Sequence, residues 1–344
     1  MYRPEHKKGP RRRFVVSCQH FSITIGAAST TGTATINAVD TARSFIVWGG
    51  SSSTSSVMQY AIPTLVLTNS TTITATRGLT GGSCVVRGTI VHATGALVRS
   101  VQGGTITLAA ATSGTATINA VDIAYSVMFY NGIVPGAAGS NLPNNLCALA
   151  LTNSTTVTAS ADAASSSTIA YTVVEFQPGV VRRVVDGTVL VTNANTVDVA
   201  TLAAEVNPAI AATVYGGTRT GIGTVDAALC RAALTAANQV TVTRTTGTGA
   251  GHGVASGVVE FAPDVVRSVQ RGTVGIAASL SGTAAINPVD LTRSWCAWLG
   301  VSTAVAATVT TSFSGVYLSD AQTVTGELGS AGTVTDSFEV VSFF

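Results

Sequence analysis

The stretch that decides the fold is Val98-Arg99-Ser100-Val101-Gln102-Gly103-Gly104-Thr105-Ile106, because it occurs again at regular distances along the chain. It returns as Val181-Arg182-Arg183-Val184-Val185-Asp186-Gly187-Thr188-Val189 and as Val266-Arg267-Ser268-Val269-Gln270-Arg271-Gly272-Thr273-Val274. A diverged copy is Val15-Val16-Ser17-Cys18-Gln19-His20-Phe21-Ser22-Ile23. The four copies start at residues 15, 98, 181 and 266, at intervals of 83, 83 and 85 residues. A repeat of this length predicts four copies of one structural module.

The repeat divides the 344 residues into a basic, extended arm and four modules. The arm is residues 1–13, and the modules, called repeats 1 to 4 below, are residues 14–94, 95–179, 180–264 and 265–344. A module of this size lies near the lower limit for a self-sufficient core, so we expect each one to pack on its neighbours or on other subunits. The links at 177–179 and 262–264 are short, which predicts a semi-rigid row of modules, as in a rod or spike.

The second repeat shows the predicted secondary structure most clearly. Six short segments alternate apolar and polar residues or are rich in β-branched residues, and turn residues separate them. They are residues 99–108, 115–122, 126–130, 147–152, 155–159 and 169–176. This pattern predicts an all-β protein of small antiparallel β-sandwich or barrel modules. The Ala-rich segment 199–206 is the best candidate for a helix, and its helical pattern is weak.

The composition is that of strands with a weakly charged surface. Charged residues make up 10% of the chain and its mean hydropathy is +0.43, with no apolar run near the ~20 residues of a membrane helix. A surface with so few charges is explained most simply by burial against partners. We therefore expect partners to cover much of the surface, and we expect no membrane partner. No secretory signal is recognisable at the N-terminus.

The positive charge is concentrated in the arm. Residues 1–13 contain six basic residues and one acidic residue, a net charge of +5. Such a segment serves as a solubilising tail, as an anchor on an acidic protein surface, or as a binder of nucleic-acid phosphates. The anchor is the interpretation we develop, with nucleic acid as the less favoured partner. The predicted particle-anchoring residues are Arg3, Lys7, Lys8, Arg11, Arg12 and Arg13.

Several repeated polar residues are predicted to be structural. Asn69 and Asn153 form glycosylation-type motifs, but their positions between two strands favour turns. Asp40 and Asp290 precede an arginine by three residues, which predicts local ion pairs. The five cysteines, an odd number without any C-x-x-C spacing, are predicted to be small buried side chains rather than a disulfide framework.

The sequence offers no catalytic constellation. No two of the four histidines stand at metal-ligand spacing, and there is no Gly-x-Ser-x-Gly motif. Glu175 and Glu260 recur once per repeat, which is not the paired-carboxylate arrangement of a glycosidase. We therefore predict a protein that is not an enzyme, with no catalytic residue, no metal site and no cofactor.

The repeated motifs carry a family resemblance. Val-Arg-Ser-Val-Gln-x-Gly-Thr-Ile opens the module, Asn-Ala-Val-Asp lies in its middle, Leu-Thr-Asn-Ser-Thr-Thr-Val-Thr forms its hairpin and Val-Val-Glu-Phe closes it. Together they resemble the tandem β-sandwich repeats of tailed-bacteriophage virion structural proteins of the fibre, spike or decoration type. The resemblance covers nearly all of the chain after residue 13. The first repeat departs most, with Cys18-Gln19-His20-Phe21 in place of the Gly-Thr turn.

The resemblance implies a structural component of a phage virion, assembled in the host cytoplasm and anchored by the arm and the first repeat. On this interpretation the protein is a symmetric homo-oligomer, with a trimer as the first candidate. Its expected partners are other virion proteins of the capsid, neck or tail, and a host surface receptor is a further candidate. The loops at 49–58 and 131–145 are candidate contact surfaces. The alternatives are a bacterial surface adhesin or filament subunit, a coat-type protein whose arm binds nucleic acid, and a polysaccharide depolymerase with a carboxylate cluster between subunits.

Overall fold

The structure is a computed structural model that describes residues 14–136, 142–191, 195–247, 252–303 and 308–344. The six predicted anchoring residues of the arm lie outside these ranges. The described chain is all-β, as predicted, and its named strands pair antiparallel in open sheets. Two helices of one turn, α1 (Met58–Ala61) and α2 (Val225–Ala228), lie in connections between strands.

Repeats 1 and 2 each contain six strands. In repeat 1 they are β1 (Val15–Ile25), β2 (Thr31–Thr35), β3 (Ser44–Ser53), β4 (Thr64–Asn69), β5 (Thr72–Thr76) and β6 (Cys84–Ala93). In repeat 2 they are β7 (Val98–Thr107), β8 (Ala111–Thr117), β9 (Ser126–Val134), β10 (Ala148–Asn153), β11 (Thr156–Ser165) and β12 (Thr168–Phe176). We name the six strand positions A to F in chain order.

Repeats 3 and 4 vary this order by breaking or joining strands. In repeat 3 position A is split, giving β13 (Val181–Asp186), β14 (Val189–Val191), β15 (Val197–Thr201), β16 (Ala211–Thr220), β17 (Arg231–Ala236), β18 (Gln239–Thr243) and β19 (His252–Phe261). In repeat 4 positions A and B are one strand, as are E and F, giving β20 (Val266–Ala285), β21 (Ser294–Thr303), β22 (Ser314–Asp320) and β23 (Thr323–Phe343).

The same strand pairings recur in every repeat. Strand F lies between A and C, as β6 does between β1 and β3, and strand E lies between B and D, as β5 does between β2 and β4. The equivalent pairs are present in repeats 2, 3 and 4. We call A–F–C the inner layer and B–E–D the outer layer. This is the sandwich alternative of the sequence prediction rather than the barrel.

The repeats are joined into a closed ring. Strand D of each repeat pairs through one residue with strand C of the next, and strand D of repeat 4 pairs with strand C of repeat 1. The four pairs are Thr64 with Gly132, Ala148 with Gly217, Arg231 with Gly300, and Gly315 with Gly50. The predicted row of modules is therefore wrong, because the last repeat contacts the first. Since sheets cross from one repeat to the next, the division into separate domains stays a prediction.

A glycine with positive φ makes each of these four junctions possible. Gly50, Gly132, Gly217 and Gly300 have φ between 92° and 103°. A Cβ on any of them would meet a backbone carbonyl oxygen of the neighbouring repeat at 2.1–2.4 Å. Only glycine allows both the dihedral angle and the approach of the two backbones.

A central core lies in the middle of the ring. Its buried side chains come from strands A, F and C and from the links of all four repeats, including Phe45, Phe129, Trp295 and Phe343. The inner layers therefore face one another across the ring axis, while further cores lie between inner and outer layers. Strand C is buried on both faces, as the pattern of β3 shows over all of its residues. The neighbouring repeats thus complete a core that an isolated repeat lacks.

Local details confirm several turn predictions and correct one helix prediction. The side chains of Asn69 and Asn153 accept hydrogen bonds at 2.9 Å from the N–H groups of Thr71 and Thr155, as turn residues do. The candidate helix at 199–206 is wrong, because its first residues belong to strand β15. All five cysteines are buried and free.

Candidate functional site

One end of the ring gathers the links between repeats, and we call it the linker pole. In each repeat the N–H that follows strand F donates to the carbonyl that precedes strand A. These bonds run from Thr94 to Phe14 (2.8 Å), Gln177 to Leu97 (2.9 Å), Ala262 to Val180 (2.8 Å) and Phe344 to Val265 (3.2 Å). The linker pole is therefore defined by four equivalent buried residues, Phe14, Leu97, Val180 and Val265.

Aromatic side chains fill the ring axis next to the linker pole. The ring centroids of Phe261 and Phe343 are 5.9 Å apart, and those of Phe343 and Trp295 are 5.1 Å apart. Phe45 and Phe129 continue the cluster with centroids 4.9 Å apart. Edge-to-face and tilted pairs of this kind add about 0.5–1.5 kcal/mol each beyond their burial. The linker pole is thus a rigid platform.

The arm joins the ring at this platform, because Phe14 is the first described residue and is 2% exposed. The predicted anchoring residues Arg3, Lys7, Lys8, Arg11, Arg12 and Arg13 precede it directly in sequence. The structure brings none of them together, since they lie outside the described residues. The structure does show that the residue following the arm, Phe14, lies at the linker pole.

The long connections between strands C and D lie at the opposite end, the loop pole. In repeat 1 the pairing of Ser44 with His92 marks the linker end of the inner layer, and the pairing of Ser53 with Cys84 marks its other end. Ten residues of strand span about 30 Å. Residues 49–53 and 131–134 of the predicted contact loops 49–58 and 131–145 belong to strands β3 and β9 and are largely buried, so this part of the prediction is wrong; the remaining described residues of both segments lie on the side of the ring away from Phe14.

A buried arginine organises the loop pole in repeat 1. Arg77 is 2% exposed and donates to main-chain carbonyls at 2.8–3.0 Å, among them those of Tyr60, Gly82, Gly26 and Ser29. Arg244 occupies the same position in repeat 3 and is also buried. Both arginines end the same Thr-x-Thr-Arg motif, at 74–77 and 241–244, and this motif is a sequence signal for their shared position.

The two recurring glutamates are ion-paired within their own repeats. Glu175 Oε1 lies 3.2 Å from Arg99 Nη1, and its Oε2 accepts a 3.0 Å hydrogen bond from Ser100. Glu260 lies 3.2 and 2.9 Å from the two arginines that follow Val181. Both carboxylates are buried at the edge between strands A and F and serve the packing of that edge.

A buried ion pair connects repeats 3 and 4. Arg271 and Glu339 face each other across strands A and F, with Nε and Oε2 2.7 Å apart. Glu339 Oε1 accepts a 2.7 Å hydrogen bond from the N–H of Thr213 in repeat 3. Arg271 donates to the carbonyls of Pro208, at 2.8 Å, and Ala211 in the same repeat. Burial raises the pKa of Glu339, and the nearby Arg271 opposes that rise.

Different residues connect repeats 4 and 1 at the same position. His20 Nε2 lies 3.1 Å from the carbonyl oxygen of Leu291 in repeat 4, so Nε2 carries the proton and Nδ1 accepts from Thr89 Oγ1 at 2.9 Å. Burial lowers the pKa of His20, which agrees with a neutral imidazole. Arg87 and Glu327 form an ion pair across this junction. The diverged Cys-Gln-His-Phe segment of repeat 1 therefore closes the ring, and its predicted contact with the particle stays a prediction.

An amide connects repeats 1 and 2. Asn131 is 1% exposed, and its Nδ2 donates to the carbonyl of Ile46 in repeat 1 at 3.0 Å. Its Oδ1 accepts from Thr172 Oγ1 at 2.6 Å. Thr172 stands at the same position of strand F as Glu339 and Thr89, four residues before the end of that strand's pairing with A.

One buried acid, Asp336, is not marked by any of the sequence motifs. Asp336 is fully buried and accepts hydrogen bonds from Trp298 Nε1, at 2.9 Å, and from Ser314 Oγ. Its Oδ2 has no hydrogen-bond partner among the described residues. Burial raises the pKa of Asp336 to about 6. The other repeats have Val86, Ile169 and Val254 at this place, so no repeat signal marks it.

Within the residues that the structure describes, no group of three or more His, Cys, Asp or Glu side chains could hold a metal ion. None of the described helices has the length and apolar character needed to cross a membrane.

Comparison of the chain with known protein families, with curated proteins and with solved structures finds no match.

Proposed function

We propose that this protein is a non-enzymatic structural component of a bacteriophage virion, of the fibre, spike or decoration type. It is anchored on an acidic surface of another virion protein by its basic arm and first repeat. The observation that carries the proposal is the position of Phe14, the residue that follows the arm in sequence: it lies at the linker pole, while the long connections between strands C and D lie at the loop pole about 30 Å away. A ring with its charged tether at one end and its variable loops at the other suits a protein held on a surface and exposed outward.

The chemistry of the ring supports the same proposal. The carboxylates of Glu175, Glu260 and Glu339 neutralise arginines at strand edges or between repeats. Glu175 and Glu260 hold strands A and F of their own repeats together, and Glu339 connects repeats 3 and 4, so all three have a structural task. The opening and closing motifs that resemble phage virion repeats lie on strands A and F, the strands that carry these ion pairs.

Peptide mass spectrometry of density-purified phage particles tests the proposal. We expect this chain at a fixed ratio to the major capsid protein, and the copy number separates a few fibres or spikes from hundreds of decoration subunits. If the chain is missing from particles and is recovered on the bacterial surface, the proposal is wrong and the adhesin interpretation replaces it.

Neutralising the arm tests the anchoring part. Changing the six anchoring residues to Gln removes the positive charge that an acidic surface attracts. We expect the variant to fold normally and to be lost from particles. Arg267→Gln, which removes an exposed charge from the ring itself, is the control and should leave incorporation unchanged. Normal incorporation of the arm variant would contradict the anchoring role.

A further inference from the structure

Arg219 and Asp162 form an ion pair across the junction between repeats 2 and 3, but at one position of strands A and F this junction lacks the side chains that fill the other junctions. Repeat 4 uses Arg271 and Glu339, and repeat 1 uses His20 and Thr89, at facing positions of strands A and F. In repeat 3 the same facing positions hold Asp186 and Gly257. A Cβ on Gly257 would point at Val127 of repeat 2, 3.1 Å from its Cγ2, so this position does face the preceding repeat.

The amide that fills the junction between repeats 1 and 2 is absent as well. Asn131, which reaches the carbonyl of Ile46 between repeats 1 and 2, precedes the positive-φ glycine of its strand. The residue at that place in repeat 3 is Gly216. Two glycines and a short acid therefore stand where the neighbouring junctions have long polar side chains.

A cleft of about 250 Å³ occupies the space that these residues leave. Its walls combine apolar side chains, among them Val127, Met128 and Leu149 from repeat 2 and Val184 and Val185 from repeat 3, with the polar residues Ser126, Thr188 and Ser256. Asp186, Gly216 and Gly257 also line it. Asp186 is exposed and its Oδ1 accepts from the N–H of Thr188, so the only charge on the lining is a carboxylate accessible to solvent. A cleft with apolar side chains and one acid favours a ligand that has an apolar stem and a positive charge.

The neighbouring junctions indicate which cation fits. Between repeats 3 and 4, the guanidinium of Arg271 donates to the carbonyl of Ala211. Between repeats 4 and 1, the imidazole of His20 contacts the carbonyl of Leu291. The counterparts of these two carbonyl residues in repeat 2 are Ser126 and Ile123, and both line the cleft. Strand A of repeat 3 supplies no basic side chain to this place, where the Ile123 carbonyl accepts only the backbone N–H of Ser126 among the hydrogen bonds of the described residues.

We propose that the cleft between repeats 2 and 3 binds a guanidinium or primary ammonium group carried on a short alkyl stem. The cation takes the place that Arg271 holds in repeat 4, beside the carboxylate of Asp186 and the backbone of Ser126 and Ile123. The stem lies against Val127 and Met128. This inference is independent of the proposed virion function.

Methyl NMR of the full chain labelled at methionine tests the binding. The chain has three methionines, of which Met128 lines the cleft and Met58 is buried in repeat 1. Titration with N-butylguanidinium should shift the Met128 methyl signal saturably and leave Met58 unchanged. N-butylurea has nearly the same shape without the charge and should bind much more weakly. An unmoved Met128 signal, or equal binding of the urea, would overturn the proposal.

Two variants separate binding from folding. Asp186→Asn should weaken N-butylguanidinium binding about fivefold, because the charge pair is exposed and partly screened. The double variant Asp186→Arg with Gly257→Glu installs the pair that repeat 4 carries and should abolish the Met128 response while Met58 keeps its native shift. If the double variant folds, as Met58 reports, and still binds the cation as the native chain does, the site assignment is wrong.

A peptide of residues 1–13 identifies the source of the cation. A Met128 shift with this peptide would assign the natural ligand to the arm of another copy of the chain. A shift with N-butylguanidinium alone would assign it to a free organic cation.

Discussion

Gly315 in the last repeat pairs with Gly50 in the first, and this contact closes the ring. It is equivalent to the pairs made by Gly132, Gly217 and Gly300, so the end of the chain uses the same junction as its interior. Each junction covers part of a strand edge that would otherwise be open to other chains. Part of the burial that the apolar composition predicted between subunits therefore takes place within one chain.

The junction glycines should be sensitive to substitution for two separate reasons. At Gly50, φ is +92°, and a Cβ would lie 2.4 Å from the carbonyl oxygen of Ser314. Gly50→Ala should lower the free energy of unfolding by about 3 kcal/mol or more, from backbone strain plus the clash. Urea denaturation measures this loss.

Gly179 provides the matched control, because its φ is +86° and a Cβ there meets nothing within 4 Å. Gly179→Ala therefore isolates the dihedral strain and should cost only about 1 kcal/mol. Equal losses for the two variants would show that the close approach at the junction contributes nothing to stability.

The ion pair between repeats 3 and 4 should matter far more than an exposed one. Glu339→Ala removes the partner of both Arg271 and the Thr213 N–H, which leaves a largely buried charge and a buried donor without compensation. We expect a loss of about 3–5 kcal/mol in urea denaturation. Arg43→Ala breaks only the exposed 3.8 Å pair with Asp40 and should cost about 0.2–1 kcal/mol. A loss at Glu339 as small as that at Arg43 would contradict the structural role of this pair.

The strands could be predicted because their signals are local. Alternation of apolar and polar residues indicated the strands of repeat 2 within a few residues, and the Asn153 turn between two Thr-rich strands was correctly predicted. The ring could not be predicted, since each junction is a single backbone pair whose sequence signal is one glycine among the 35 of the chain. Short links indicate proximity of neighbours, but they contain no information on the angle between them.

The residues that connect the repeats were hidden for a related reason. Glu175 and Glu260 were noticed because they recur, and they proved to serve their own repeats. His20, Asn131 and Glu339 occupy the junctions with three different chemistries, so a search for recurring residues passes over them. The four junctions of this ring share the same backbone pairing, while the side chains that fill them differ.

Asp336 should make part of the stability depend on pH. Its pKa is raised to about 6 from an ordinary value of 3.8, so the folded chain holds this proton more tightly than the unfolded chain. The stabilisation of the folded chain by this proton is complete below about pH 4 and is lost as the pH rises through about 6. At about 1.4 kcal/mol per pKa unit, the loss in the free energy of unfolding is roughly 3 kcal/mol. His20, with its lowered pKa, acts in the opposite direction as the pH falls below 6.5.

The contribution of Asp336 is isolated by comparing the native chain with Asp336→Asn at each pH. As the pH rises from 4 to 6, the native chain should lose stability relative to Asp336→Asn. Above pH 7 the difference between their free energies of unfolding should stay constant. A difference that does not change with pH would show that Asp336 titrates normally.

The ring also predicts that the order of the repeats along the chain can be changed. Phe344 donates to Val265 as Thr94 donates to Phe14, so both ends of the described chain lie at the linker pole in equivalent positions. In the interior, two residues separate Thr94 from Leu97, the counterpart of Phe14. A two-residue linker from Phe344 to Phe14 should therefore complete a fourth link of native length.

A circular permutant with this linker, opened at the exposed Pro178–Gly179 link and lacking the arm, should fold to the same ring. We expect near-native circular dichroism and a native Met58 methyl shift, because the core around Met58 is unchanged. A second permutant opened within β3, whose residues are all buried, should fail to fold. If the first permutant is unfolded or forms only oligomers while the native chain without its arm is monomeric, the two ends do not meet at one pole and the closed ring is wrong.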